Sequence, residues 1–183
     1  MRKRMMLLIL AAAIVLTCVV GGTWAYLASQ PVKVENTFTS GKVEISLRET
    51  STGPFTMTPG VDVYKDPTVT VYAGSEESWL FAQIDLSADF DMYMTYEMAD
   101  GWQLLPGHPG VYYREVPKGT HDVSYAVLKG HMVWVRADLT EEDLAAITVL
   151  PQMTVSVMAI QKDKMETASI AYNTILSERR SHV

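Results

Sequence analysis

Alternation of apolar and polar residues with a period of two is the sequence feature that most restricts the fold of this chain. Val43, Ile45 and Leu47 alternate with charged or hydroxyl side chains. Since successive side chains of a β-strand point to opposite sides, this pattern predicts a strand with one buried and one exposed face. The chain is predicted to contain about eight such strands. The other seven cover 69–71, 80–86, 92–98, 111–116, 122–128, 131–137 and 153–160.

Two of these segments give specific expectations about which side chains are buried. In the segment that begins at Leu80, the alternation places Phe81 on the face opposite Leu80, and the aromatic stripe that includes Phe81 is interpreted as core more readily than as a binding surface. In the segment that begins at Met92, the alternation places Met92 and Met94 on one face of a single strand. The assignment of these residues to faces follows from the period of two.

The spacing of turn residues predicts the fold class. Pro-Gly, Asp-Gly and Lys-Gly pairs separate the short strands, with few helical segments between them. Such a chain is predicted to be all-β, forming an antiparallel β-sandwich with one or two short helices, preceded by an N-terminal signal helix. Thr140 is predicted to cap one helical turn. Thr167 is predicted to cap a last helix that ends near Leu176, with Ile170, Ile175 and Leu176 on its apolar side.

Composition and charge exclude several classes of protein. The 183 residues are 48% hydrophobic and 20% charged, which is typical of a globular protein and not of a disordered one. The net charge of −6 disfavours nucleic acid as a partner, because nucleic-acid binding needs a basic surface. With Cys18 as its single cysteine, the chain has neither a disulfide framework nor a cysteine-based zinc site.

The first 25 residues have the three-part plan of a secretory signal peptide. Basic residues 2–4 precede the uncharged apolar run 5–20, and small residues follow. Cleavage is predicted between Ala25 and Tyr26, which would remove Cys18 with the leader. A helix over 5–20 would be about 24 Å long, shorter than the ~30 Å hydrocarbon core, so a permanent span is the weaker interpretation. Lipid attachment at Cys18 is also disfavoured, although an uncleaved signal would hold the protein at the membrane.

The chain is predicted to have three consecutive parts. These are a signal peptide over 1–25, an N-terminal arm over 26–39 and a β-sandwich domain over 40–183. If the arm is extended, one face of it is formed by Val32, Val34, Asn36 and Phe38. Such a strand can pair with a sheet of its own chain or with a sheet of a neighbouring molecule, and the alternation leaves both options open.

No catalytic, metal-binding or cofactor-binding residue is predicted. The histidines lack the His-Glu-x-x-His spacing of a zinc protease, and they lie at His108, His121, His131 and His182. His121 and His131 would approach each other across a hairpin, but solvated histidines are the simpler interpretation. Three aspartates that could form a surface calcium site are better interpreted as a solvated turn. They are Asp85, Asp89 and Asp91.

Several motifs, in order along the chain, resemble one family of exported bacterial proteins. Residues 21–26 read Gly-Gly-Thr-Trp-Ala-Tyr, residues 36–41 read Asn-Thr-Phe-Thr-Ser-Gly, and alternation follows from Val43. Thr-Pro-Gly at 58–60 precedes Lys-Asp-Pro and an apolar strand, and the tail contains a strand ending in Gln161 before a short helix. These features resemble the TasA/camelysin family, in particular its small clostridial branch.

The resemblance implies a fold and a function. Relatives of this kind have a jelly-roll fold, are processed by a SipW-type signal peptidase and serve chiefly as biofilm-matrix fibre subunits. It therefore implies a protein secreted to the extracellular matrix or cell surface of a monoderm bacterium. There it would self-assemble by donating its N-terminal strand, with other matrix proteins as further partners. Two alternatives stay open: a camelysin-like zinc endopeptidase, and a signal-anchored surface binding module.

Overall fold

Strands dominate the computed structural model, which describes residues 37–51 and 55–181. The strands are β1 (Thr37–Ser40), β2 (Ile45–Arg48), β3 (Asp62–Tyr64), β4 (Thr68–Val71), β5 (Ser78–Leu86), β6 (Met94–Met98), β7 (Gln103–Leu104), β8 (Val111–Val116), β9 (Val123–Ala126), β10 (Leu128–Val135) and β11 (Met153–Gln161). The helices are α1 (Phe90–Tyr93), α2 (Glu141–Ala145) and α3 (Ala168–Ser181). The predicted all-β fold is confirmed, and the predicted signal helix lies outside the described residues.

The larger sheet has five strands in the order β1-β11-β5-β8-β7. Its centre is the antiparallel pair β5 and β11, each nine residues long, in which Leu86 lies opposite Met153 and Ser78 lies opposite Gln161. β1 pairs with β11 in parallel, so this sheet is not purely antiparallel as the sequence predicted.

The second layer is made of two three-stranded sheets, β2-β4-β9 and β3-β10-β6. Backbone hydrogen bonds continue from one to the other: Lys65 N donates to His131 O at 2.8 Å, and Val127 N donates to Pro67 O at 2.9 Å. The two sheets are therefore halves of one layer, interrupted where β10 shifts register against β6. His131 lies in this irregular stretch with φ of 58°, a left-handed conformation unusual for a residue with a side chain.

Side chains from the two layers meet between the sheets. The Arg114 guanidinium carbon of β8 lies 3.8 Å from the ring centroid of Tyr125 in β9. The hydroxyl oxygens of Tyr96 in β6 and Tyr112 in β8 are 3.4 Å apart. Arg114 and Tyr112 are two positions apart on β8 and therefore point to the same side. These contacts make the arrangement a β-sandwich.

Helix α3 covers the opposite face of the five-stranded sheet. Phe81 and Met158 are fully buried beneath it, and the ring of Phe81 lies 5.3 Å from that of Tyr172. The interpretation of the aromatic stripe that includes Phe81 as core agrees with this burial, and the alternation does not separate a buried from an exposed face here because β5 is covered on both faces. α3 also continues past Leu176, and Ile170 is 49% exposed instead of forming part of the buried side.

A short helix replaces the start of one predicted strand. α1 ends at Tyr93 and β6 begins only at Met94, so Met92 lies on the helical turn and is 60% exposed. Phe90 explains the turn, because its buried ring packs against Tyr96 at 6.3 Å. The predicted cap of α2 is confirmed by a reciprocal capping box between Thr140 and Asp143.

Candidate assembly site at the N-terminal strand

One residue of the predicted donor strand lies in the described structure. Phe38 is the second residue of β1 and pairs with Met158 of the same chain. Val32, Val34 and Asn36 lie outside the described residues, as do Ala25 and Tyr26 at the predicted cleavage point.

β1 lies beside only part of its neighbouring strand. Its four residues pair with the stretch from Val157 to Ile160, whereas β11 begins four positions earlier at Met153. Within the described part of the chain, no strand pairs with residues 153–156 on the side opposite β5. Among residues 37–51 and 55–181, this half of β11 has a strand neighbour on one side only, and a strand can add at such an edge.

Hydrogen bonds and a close backbone approach connect the residues after β1 to the end of β11. Lys42 N donates a hydrogen bond to Gln161 Oε1 at 3.3 Å, and Glu76 N donates to Lys42 O at 2.9 Å. Gly41 has φ of +82°, and a Cβ at this position would lie 2.9 Å from both Cβ and Oε1 of Gln161. Glycine is therefore required here for conformation and for space.

Charged side chains line a groove of about 460 Å³ that also includes Gln161. Lys162 forms ion pairs with Glu77 and Glu115, and its ammonium lies 5.3 Å from the centroid of the Trp79 ring. Hydrogen bonding to Glu115 and then to Glu77 raises the pKa of Lys162. The hydrogen bond from Lys162 in turn lowers the pKa of Glu77. These ion pairs stabilise the turn after β11.

A buried polar cluster that the sequence did not predict joins the end of β2 to the junction of β3 and β4. Lys65 Nζ lies 2.9 and 3.1 Å from the two carboxylate oxygens of Glu49, and the two side chains are only 4% and 2% exposed. Asp66 accepts hydrogen bonds from Thr50 N, Thr50 Oγ1 and Ser51 N. Burial opposes ionisation of Asp66, but these hydrogen bonds outweigh it and its pKa lies below the usual value.

The histidines considered as metal ligands occupy separate environments. His108 packs edge-on against Tyr172 with ring centroids 4.9 Å apart, and exposed His121 hydrogen-bonds to Thr120 through Nδ1. His131 lies 6.1 Å from the ring of Tyr64, with Nδ1 buried and without a hydrogen-bond partner in the described structure. His182 falls outside the described residues. Over 37–51 and 55–181, no three metal-binding side chains cluster together.

The aspartates considered as calcium ligands are bound to nearby side chains or lie on a helical turn. Asp85 accepts a hydrogen bond from Gln83 Nε2 at 2.9 Å, and Asp89 accepts one from Ser87 Oγ at 2.8 Å. Asp91 is exposed on α1. These contacts account for the acidic turn as ordinary surface structure.

Comparison with known proteins finds a family similarity in the N-terminal part of the chain. Residues 1–72 match the family described as camelysin metallo-endopeptidase, which confirms the predicted resemblance to the TasA/camelysin family. The chain is thus a β-sandwich protein whose first 72 residues are similar to that family. No curated protein and no solved structure matches the chain. No described helix is long and apolar enough to cross a membrane.

Proposed function

We propose that this chain is a structural subunit that is exported and assembles into an extracellular or cell-surface fibre through its N-terminal arm. A signal peptidase of SipW type would cut between Ala25 and Tyr26 and release the arm. The arm would then pair with the sandwich of a second copy. The resemblance of residues 1–72 to the camelysin family supports this proposal.

The register of β1 against β11 is the observation that carries the proposal. Thr37 lies opposite Val157, and partners in a parallel pair share a face of the sheet. Extending this register backwards would place Glu35 beside Val155, which is 1% exposed, and Val34 beside Thr154. Glu35 would then lie beside a buried valine and Val34 beside a partly exposed threonine, although Phe38 of the same arm pairs with fully buried Met158.

The mismatch favours pairing of the arm outside its own chain. In a sheet that matched its apolar face, seven paired residues would form about 7 hydrogen bonds of ~1 kcal/mol and bury three apolar side chains at ~2 kcal/mol each. This total of about 13 kcal/mol exceeds the ordering cost of about 10 kcal/mol by a small margin. Because a head-to-tail contact need not close into a ring, repeated pairing gives a filament.

Two matched double variants test the role of the arm. In the first, Val32→Asn and Val34→Asn remove the apolar face, and in the second, Lys33→Asn and Glu35→Asn change the opposite face. Both receive the same new side chains at neighbouring positions. The secreted proteins are compared by electron microscopy and by size-exclusion chromatography, with circular dichroism to confirm folding.

The proposal expects fibres from the original chain and from the Lys33/Glu35 variant, and folded monomers from the Val32/Val34 variant. Equal fibre yield from both variants would contradict assembly through the apolar face of the arm. A secreted protein that starts at Met1 instead of Tyr26, as measured by intact mass, would contradict release by cleavage and favour a surface module held by its signal.

A metallo-endopeptidase is the second candidate function, and the description of the matched family favours it. Incubation of the secreted protein with casein, with and without a chelator, separates the two candidates. Chelator-sensitive cleavage that co-purifies with this chain would favour the enzyme, and its absence at high protein concentration would favour the structural subunit.

A further inference from the structure

Arg114 has an unusual environment for an arginine in a protein rich in carboxylates. Its guanidinium carbon lies 3.8 Å from the ring centroid of Tyr125 and 5.4 Å from that of Trp102. None of the ion pairs in the described part of the chain includes it, although the sequence has 21 acidic residues. Aromatic rings thus take the place of a carboxylate partner.

The hydrogen-bond donors of Arg114 are unused. Nε is buried and has no acceptor among the described residues. Nη1 and Nη2 also have no acceptor among the described residues and, unlike Nε, they are not fully buried. Burial lowers the pKa of Arg114, because loss of water disfavours the charged guanidinium and the interaction with Tyr125 offsets only part of this loss.

Trp102 and Gly101 form two sides of the space around the Arg114 guanidinium. Trp102 is buried, and its Nε1 donates to the carbonyl oxygen of Ala126 at 2.8 Å. Gly101 has φ of +88°, and a Cβ there would lie 2.9 Å from Nη2 of Arg114. The guanidinium is therefore held in one orientation against a glycine that leaves it room, and binding through its outer edge loses little conformational entropy.

We infer that Arg114, held by Tyr125, Trp102 and Gly101, is a binding site for the carboxylate of a small organic acid or sugar acid. The two terminal nitrogens form a planar edge that matches the two oxygens of a carboxylate. Because Arg114 has no acidic partner within the described chain, a ligand does not have to displace one. This inference does not depend on the fibre proposal.

Titration of the full secreted chain by NMR tests the inference. The signals followed are Nε–H of Arg114 and Nε1–H of Trp102, and the probes are sodium acetate, sodium glucuronate, glucose and sodium chloride. Saturable shifts with glucuronate and acetate are expected at concentrations up to about 100 mM, since a single charge-assisted contact gives millimolar affinity. Shifts with glucuronate alone would identify a sugar acid as the ligand, and equal affinity for acetate would identify the free carboxylate.

Three variants show whether Arg114 itself binds. Arg114→Gln should weaken binding at least about tenfold, and Arg114→Lys should weaken it less because the charge stays while the planar edge is lost. Arg136→Gln is the control, since Arg136 is exposed and paired with Asp138. Glucose or chloride shifts equal to those of glucuronate, no saturable shift, or binding unchanged in a folded Arg114→Gln protein would each overturn the inference.

Discussion

The buried pair of Glu49 and Lys65 gives the sharpest prediction about stability. At contact distances of 2.9 and 3.1 Å, with both side chains almost fully buried, removal of one partner leaves an uncompensated charge in the interior. Replacing Glu49 by Leu or Lys65 by Met should therefore destabilise the fold strongly. Replacing both should be much less harmful, because the pair is then exchanged for apolar side chains.

The expected magnitudes follow from burial. At an effective dielectric constant of about 20, two unit charges about 3 Å apart attract by about 5 kcal/mol, and desolvation of both groups offsets much of this. Each single variant should lose about 3–5 kcal/mol of unfolding free energy, as is typical of broken buried pairs. For a domain of this size such a loss corresponds to a drop in Tm of roughly 6–20 °C.

Urea unfolding followed by tryptophan fluorescence measures these losses in the two single variants and the double variant. The exposed pair Lys129 and Glu97, with side chains more than half exposed, is the control, and Lys129→Met should have little effect. Losses below about 1 kcal/mol in both single variants, or a double loss equal to their sum, would refute the assignment of a coupled buried pair.

Three further predictions concern Asp66, Gly41 and Thr140. Asp66→Asn should destabilise the protein at neutral pH and have little effect at low pH. Thermal unfolding of both proteins, measured at pH values from 7 to 2, checks this difference. The lowered pKa gives a contribution that is present above the ordinary pKa of about 3.9 and lost as pH falls through the lower folded value. Gly41→Ala should expose the β1 amides to hydrogen exchange more than Gly74→Ala does, because both glycines have positive φ but only Gly41 meets Gln161. Thr140→Ala should speed local exchange in α2 by removing its cap, at a cost of about 1 kcal/mol.

Local patterns predicted most of the strands but not what covers them. The alternation around Leu80 correctly marks a strand, yet Phe81 is buried because α3 returns over the same sheet from a distant part of the sequence. The period of two at Met92 continues through a helical turn, because the buried ring of Phe90 determines the backbone there. In both cases a tertiary contact overrides the local pattern.

The polar features escaped prediction for a related reason. Glu49 and Lys65 lie 16 positions apart on different strands, and nothing in either local sequence indicates that they meet. The pairing of β1 with β11 was also invisible, since the alternation of the arm is equally compatible with its own sheet and a neighbour's. A signal existed for Arg114 in the surrounding tryptophan and tyrosines, but only the fold brings them together.

The hydrogen bond from Lys42 N to Gln161 Oε1 joins residues that are 119 positions apart in the sequence. Because ribosomes make the amino terminus first, β11, with which β1 pairs, is the last strand of the sheet to be synthesised. Until β11 is made, β1 of a new copy has no strand of its own chain to pair with, whereas β11 of a completed copy is already formed. If the arm of a new copy pairs with the sheet of a completed copy, subunits would add in one direction only. The resulting polymer would have one growing end and one inert end.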